Sequence, residues 1–168
     1  MKENNRRVSI EEIKASLEYD PETGILRWRK VAGRRLKAGH QAGTKNPSGY
    51  IAIMVRGVLL RAHRIAFAMM TGDWPDGDID HINCKRDDNR WENLRAATRS
   101  QNLANTRLSA KNKSGFKGVF WHKAAQKWCS EIRVNGTRLH LGYFDDASKA
   151  AQAYQESARS HHGQFARF

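Results

Sequence analysis

Ile10, Ile13 and Leu17 recur at helical spacing behind Ser9 and Glu12, a pair set three apart as in a capping box, and predict a short helix over residues 9–18. The turn formers DPETG follow, and Ile25–Trp28 predicts a strand. Periodicity is lost over residues 30–49, where Gly mixes with Lys and Arg, so an exposed basic connection is expected. YIAIMV and VLLRA flank Arg56-Gly57 and predict a hairpin; HRIAFAMMTG predicts a helix stopped at Gly72. After the loop DWPDGD, GDIDHI reads as a strand ending at Asp80-His81, NCKRDDNRWEN as a loop of turn formers, LRAAT as a second strand, and SQNLANTR as a helix with Ser100 as N-cap.

The pattern changes beyond Arg107. SAKNKSG is a polar, lysine-bearing linker. GVFWHK, KWCSEIRV and TRLHLGYF are three short β-type runs, with Asn135-Gly136 as the hairpin signal between the second and third. DDASKAAQAYQESARSHHG closes the chain as a helix whose apolar side is Ala147, Ala150, Ala151, Tyr154 and Ala158, capped by Asp145 or Asp146 and ended by Gly163. The expected class is α+β: an N-terminal region over 1–107, a linker at 108–113, and a three-strand-plus-helix module over 114–168. No internal repeat is evident.

Charge sharpens this picture. The 168 residues carry 30 Lys and Arg against 17 Asp and Glu, a net +13. Residues 1–110 hold 20 basic and 13 acidic side chains, hence +7, and residues 111–168 hold 10 and 4, hence +6. Two independently basic halves suit a long polyanion touched at two places, and nucleic acid is the expected partner. No apolar run reaches the length of a membrane span, and MKENNRRVSIEEI lacks the apolar core of a secretory signal. Cys84 and Cys129 form no C-x-x-C pair, which points to free thiols in a reducing compartment rather than a zinc ribbon or disulfide framework.

The densest chemistry lies in DHINCKRDDNRWENLRAATRSQNLANTR, residues 80–107. Asn93 lies 12 positions after His81 and Asn102 lies 21 after it. Two antiparallel strands with a helix packed across them would bring Asp80 and Asn102 together. A carboxylate plus an amide oxygen is a sparse, hard donor set of the kind Mg²⁺ accepts, and His81 beside it suits a general base. On the residues alone a second reading stands level with this one: a partly buried structural histidine among turn and capping asparagines.

Asp80-His81…Asn93-Leu94…Asn102 resembles the HNH nuclease motif of the ββα-metal fold (the His-Me finger), in the version carried by phage homing endonucleases. The phrases YDPETGILRW, Gly49-Tyr50, AHRIAFAMMTGDWP and ATRSQNLANT share that resemblance. It implies a DNA endonuclease in which His81 activates water, Asp80 and Asn102 hold one divalent metal, and Asn93 pins the loop and strand that present His81. Asn102 in place of a final His favours Mg²⁺ or Mn²⁺ over softer ions. Arg86, Arg90 and Arg95 are expected either to clamp neighbouring phosphates or to be solvated loop charges.

In the last module, strand alternation puts Cys129, Glu131 and Arg133 on one face, with Arg138, His140 and Gly142 of the next strand. Trp128, Ser130, Ile132 and Val134, with Leu139, Leu141 and Tyr143, then cover the alanine-lined helix, and Trp121 and Trp128 read as core. A charged three-stranded sheet can enter a major groove. The segment 114–168 resembles the ethylene-response-factor (Apetala-type) DNA-binding domain through EIR at 131–133, LGYF at 141–144, AAQAY at 150–154 and HGQFA at 162–166. Lys117, Glu131, Arg133, Arg138 and His140 are the expected DNA contacts. Phe120 and His140 replace the arginine and tryptophan usual in that family, so its base preference does not carry over.

The sequence thus predicts a phage- or mobile-element-borne endonuclease acting on double-stranded DNA in a bacterial cytoplasm, monomeric and with no protein partner implied. A restriction- or packaging-associated HNH nuclease is the rival within enzymes. The rival outside them is a non-catalytic DNA-binding regulator with a decayed nuclease region. A membrane-surface role is disfavoured because the basic residues do not line one amphipathic helix.

Overall fold

The computed structural model describes residues 8–30 and 37–168, arranged as two compact units, 1–96 and 97–168. Part of the basic connection expected at 30–49, and the start of the N-terminal stretch read against a secretory signal, lie outside the described residues. No helix among the described residues is long and apolar enough to cross a membrane.

In the first unit α1 spans Ile10–Ser16 and carries the full capping box, with the Ser9 hydroxyl accepting from Glu12 N and the Glu12 carboxylate accepting from Ser9 N. The helix stops two residues earlier than the apolar spacing suggests. Leu17–Tyr19 instead forms β1, antiparallel to β2 (Leu26–Trp28). Leu17 is fully buried either way, so its hydrophobic position could not discriminate helix from strand. A short strand within the basic connection, β3 (Thr44–Lys45), pairs with β4 (Ile51–Val55), which turns at Arg56-Gly57 into β5 (Val58–Arg61). Helix α2 (Ala62–Thr71) ends on Gly72, whose φ of 88° only glycine adopts without strain. Ile13, Leu17, Leu26, Ile53, Val55 and Ile65 form the centre of the core. Strands β6 (Asp78–His81) and β7 (Leu94–Ala97) pair with each other, the loop between them closing through a 3₁₀ turn at Trp91–Asn93.

The second unit begins inside the expected N-terminal region, ten residues before Arg107. The reason is packing: Ala97 and Ala104 cluster with Phe165 near the C-terminus. The Lys117 ammonium also donates to the carbonyls of Ala104 and Thr106. Helix α3 (Arg99–Ala104) is capped by Thr98 with Gln101 in a second capping box, not by Ser100. The Ser100 hydroxyl accepts from Asn135 N instead, at 3.0 Å.

Strands β8 (Val119–His122), β9 (Lys127–Val134) and β10 (Thr137–Phe144) make an antiparallel sheet in the order β10-β9-β8, and α4 (Ala147–His162) lies on one face. Val119, Ile132, Ala150, Ala151, Tyr154 and Ala158 are buried there. The small alanines let the helix approach the sheet closely. Gly118 is required in this packing: at φ 71° a Cβ would stand 2.1 Å from the Tyr154 ring. The three-strand-plus-helix arrangement expected from the sequence is present, with two differences. Trp121 remains 43% exposed on the edge strand, edge-on to Trp128. A β-bulge between His140 and Gly142 also shifts the alternation of β10.

Candidate functional site

Asp80 and His81 end β6 and are both buried, at 4% exposure. A buried carboxylate requires a partner, and Arg95 on β7 supplies it: Nε donates to Asp80 Oδ2 at 2.9 Å and Nη2 lies 2.8 Å from the same oxygen. Arg95 is itself mostly buried, so the arginine expected at a phosphate is engaged with the acid that opens the motif.

His81 is held by a residue that the sequence pattern does not single out. Its Nε2 lies 3.1 Å from Asn89 Oδ1, and both side chains are buried. An amide oxygen only accepts, so the contact puts the ring proton on Nε2 and makes Nδ1 the basic nitrogen. Burial pushes the His81 imidazole below its ordinary pKa, opposed by the Asn89 hydrogen bond and the Asp80 charge, which favours the neutral ring.

Asn89 is fixed in turn by the DPETG turn. Tyr19 Oη donates to Asn89 O at 2.7 Å, and Trp91 N donates to Pro21 O at 2.9 Å. Gly24, at φ 73°, lets the turn come this close: a Cβ there would meet Arg90 N at 2.4 Å and Asn89 C at 2.5 Å. Burial pushes the Tyr19 phenol up to about 12, so it stays a donor throughout the neutral range.

Asn93 braces the loop from the other side. Its amide donates to Asp88 O at 2.7 Å and its oxygen accepts from Asn83 N at 3.0 Å, while its own carbonyl accepts from Ile82 N at 2.9 Å. Asp88 accepts from Arg90 Nε and from Asn83 Nδ2, and these bonds, the Arg90 bond foremost, hold its carboxyl down at about 2. Arg90 also meets Glu92 at 2.6 Å, so its guanidinium joins two loop acids. Arg86 donates to Ser48 O at 2.9 Å and lies over the Tyr50 ring.

Tyr50 anchors a cluster that the motif does not include. Its ring packs 5.2 Å from His63 and 6.0 Å from His81, and His63 meets His81 edge-on at 5.0 Å. Arg61, exposed, lies 4.7 Å from the Tyr50 ring centroid. Burial, and then the neighbouring His81, hold the His63 imidazole down at about 3, and its Nδ1 is buried with no hydrogen-bond partner among the described residues. The signal for these residues was present in Gly49-Tyr50 and AHRIAF, but composition could not aim them at His81.

Asn102 belongs to the second unit, on the first turn of α3, half-buried, its N–H donating to Thr98 O. In the same unit the sheet face away from α4 carries Arg133, Arg138, Glu131 and His140, as alternation predicts. The bulge adds Tyr143, which the simple alternation assigned to the core. The register now sets it opposite Cys129, 45% exposed, with its ring 4.7 Å from His140 and 5.0 Å from His122. A shallow cleft of about 450 Å³ beside this face is lined by Phe120, Glu131, Arg133 and Arg138. Arg138 and Glu131 form a long ion pair of 3.4 Å. Lys117 is not directed to this face, being tied to the two carbonyls noted above.

Residues 60–104, the span containing Asp80, His81, Asn93 and Asn102, match the HNH_3 family model, HNH endonuclease, and the chain thus carries an HNH endonuclease domain. It is 32% identical over 109 residues to Protein 3.8 of Escherichia phage T7, an alignment covering 64% of this chain and 89% of the phage protein. The chain belongs to the family of that phage protein. A solved structure of DNA binding and cleavage by the HNH homing endonuclease I-HmuI aligns over 92% of this chain and 90% of its own, at 18% identity and a TM-score of 0.42.

Proposed function

We propose that the chain is a metal-dependent DNA endonuclease of the homing type, hydrolysing a phosphodiester bond with His81 as general base. The observation that carries this reading is the buried Asp80-His81 pair, with the His81 ring oriented by Asn89, inside the span of the HNH match.

In this reading neutral His81 takes a proton at Nδ1 from the attacking water, while the proton on Nε2 stays there, donated to Asn89 Oδ1. The oxygen so activated attacks phosphorus and the 3′ oxygen leaves, giving 5′-phosphate and 3′-hydroxyl ends. HNH nucleases depend on a divalent metal. The donors here fit one: a buried carboxylate at Asp80, itself held by Arg95, with the amide oxygen of Asn102 added by the sequence resemblance. Hard oxygen donors of this kind suit Mg²⁺ or Mn²⁺. When bound, such an ion supplies positive charge for the phosphate and leaving oxygen as negative charge develops there. Asn93 keeps the loop and β7 in register and takes no part in the chemistry. Arg61 and Arg86, stacked on Tyr50 near His81, are the cations best placed to meet a flanking phosphate, whereas Arg90 and Arg95 act by holding loop acids and Asp80.

The second unit is then the reader. Its open sheet face, with Arg133, Arg138, His140 and Glu131, is proposed to lie against double-stranded DNA in the manner of the ethylene-response-factor fold, with the +6 balance of residues 111–168 supplying phosphate affinity.

The test is incubation of supercoiled plasmid and phage or host genomic DNA with purified protein and Mg²⁺, with and without EDTA. Wild type should nick or linearise DNA only with metal. His81→Ala should lose about 10²–10⁴-fold in rate while keeping DNA affinity. Metal-independent DNA binding without cleavage on any substrate would favour the regulator reading instead.

A further inference from the structure

We propose that Cys129, Glu131 and His140 form a second, chemically distinct metal site, a Zn²⁺ site on the open face of the β8–β10 sheet.

The site follows from strand geometry. Cys129 and Glu131 are two apart on β9 and so share a face, and the register sets His140 of β10 directly opposite Glu131. One ligand atom from each lies within 4.8 Å of the others, and Cys129 Sγ is 3.4 Å from His140 Nδ1. In tetrahedral zinc coordination neighbouring sulfur, nitrogen and oxygen ligands stand roughly 3.3–3.7 Å apart. The sulfur–nitrogen edge therefore already has the right length, and the flexible Glu131 chain needs a movement of roughly an ångström to complete a triangle.

The donor types point to the ion. Thiolate, imidazole and carboxylate form a borderline-soft set that favours Zn²⁺ over Mg²⁺ or Ca²⁺, unlike the hard oxygen donors of the HNH motif. Two ligands sit on one eight-residue strand and the third on its hydrogen-bonded neighbour, so backbone pairing holds all three. Cys129 is buried beneath the face, whereas His140 is exposed and gives an ion access from solvent. On binding, the Cys129 S–H bond breaks, its proton passes to solvent and the thiolate takes the metal. His140 Nδ1 exchanges its contact with sulfur for one with the ion. Glu131 exchanges a long, solvent-exposed ion pair with Arg138 for an inner-sphere bond. Three protein ligands leave a fourth position for water or a phosphate oxygen. The ion thus pins β9 to β10 and releases the Arg138 guanidinium on the same face.

Cobalt is the probe, because a thiolate–Co²⁺ charge-transfer band in the near ultraviolet reports only a sulfur-containing site. Reduced full-length protein titrated with Co²⁺ should develop the band at one equivalent and lose it on adding one equivalent of Zn²⁺. The band should persist in Cys84→Ser and in Asp80→Ala. It should vanish in Cys129→Ser and, with the thiol left in place and the fold undisturbed, in the exposed His140→Ala. Absence of the band in wild type, or its loss in Cys84→Ser with retention in His140→Ala, would overturn the proposal. The cobalt band reports the sheet face alone and EDTA-sensitive cleavage by wild type against His81→Ala reports the Asp80-His81 site, so failure of this proposal and failure of the nuclease reading are distinguishable.

Discussion

His81 Nε2 and Asn89 Oδ1 meet at 3.1 Å in a buried pocket, so the tautomer of the proposed base is set by an asparagine outside the three-letter motif. Asn89→Ala should lower the cleavage rate about ten- to a hundred-fold, the usual cost of losing a group that orients a functional residue, with DNA affinity unchanged. Single-turnover cleavage beside a gel-shift titration checks both halves. Equal loss in the two assays would mark Asn89 as merely structural.

Gly24 should tolerate no side chain. Gly24→Ala strains a left-handed position and drives a methyl group against the backbone of Asn89 and Arg90. A cost of about 1–3 kcal/mol is expected, with cleavage falling further than stability alone explains because the support of His81 moves. Urea unfolding and cleavage at a temperature where the variant stays folded separate the two effects.

Arg95 and Asp80 form an enclosed pair, with side chains 14% and 5% exposed. Removing one partner strands the other: Arg95→Met should destabilise the protein by about 3–5 kcal/mol. Asp80→Asn in the same chain should recover part of that loss, since no buried charge remains. Denaturant melts of the two single variants and the double variant measure the coupling directly.

Metal should stabilise the wild type through the proposed site. At 100 times its dissociation constant, Mg²⁺ should add about 2.7 kcal/mol, and Asp80→Ala should show no such gain. Thermal melts across a Mg²⁺ titration provide the test. An equal rise in both proteins would place the ion elsewhere.

Acid should unfold the protein through buried neutral histidines. The His63 imidazole is lowered from its ordinary 6.5 to about 3 by burial. Below pH 6.5 the unfolded chain takes a proton at this position and the folded chain does not. Stability is therefore full above that pH and is lost as pH falls towards 3. His63 accounts for about 2 kcal/mol of loss between pH 7 and pH 5. His162 is pushed the same way, chiefly by burial, and adds to the slope. His63→Phe should flatten the urea-stability curve across that interval; an unchanged slope would show that His63 already carries its proton in the fold.

Much of this architecture could be read locally. Ser9 with Glu12 marks a helix start because the two side chains satisfy the free N–H groups of one turn. Asn135-Gly136 marks a hairpin because both residues adopt positive φ, 49° and 85°. The alanine row of α4 announces a helix pressed against a sheet. What could not be read was choice among equals. Asn89 is one of five asparagines between Asp80 and Arg107, and nothing local distinguishes the one that meets His81. Thr98 and Ser100 are both competent caps, and packing of Ala97 and Ala104 on Phe165 accompanies the choice of Thr98. The bulge in β10 adds one residue without any strong sequence mark and turns Tyr143 from the core to the open face.

Residue order was enough for most of the longer elements and their hydrophobic faces, the basic balance of both halves and the Asp80-His81 signature, because each arises from neighbours a few positions apart; the short strands at Leu17–Tyr19 and Thr44–Lys45 and the face of Tyr143 were not among them. The partnerships were not: Arg95 with Asp80, Asn89 with His81, Tyr50 and His63 beside that ring, and Cys129 with His140 across two strands. Such pairs depend on how the loops and strands between the two residues fold back on one another, not on the immediate neighbours of either. A polar side chain has several adequate partners until burial removes water from the competition and leaves the one within reach.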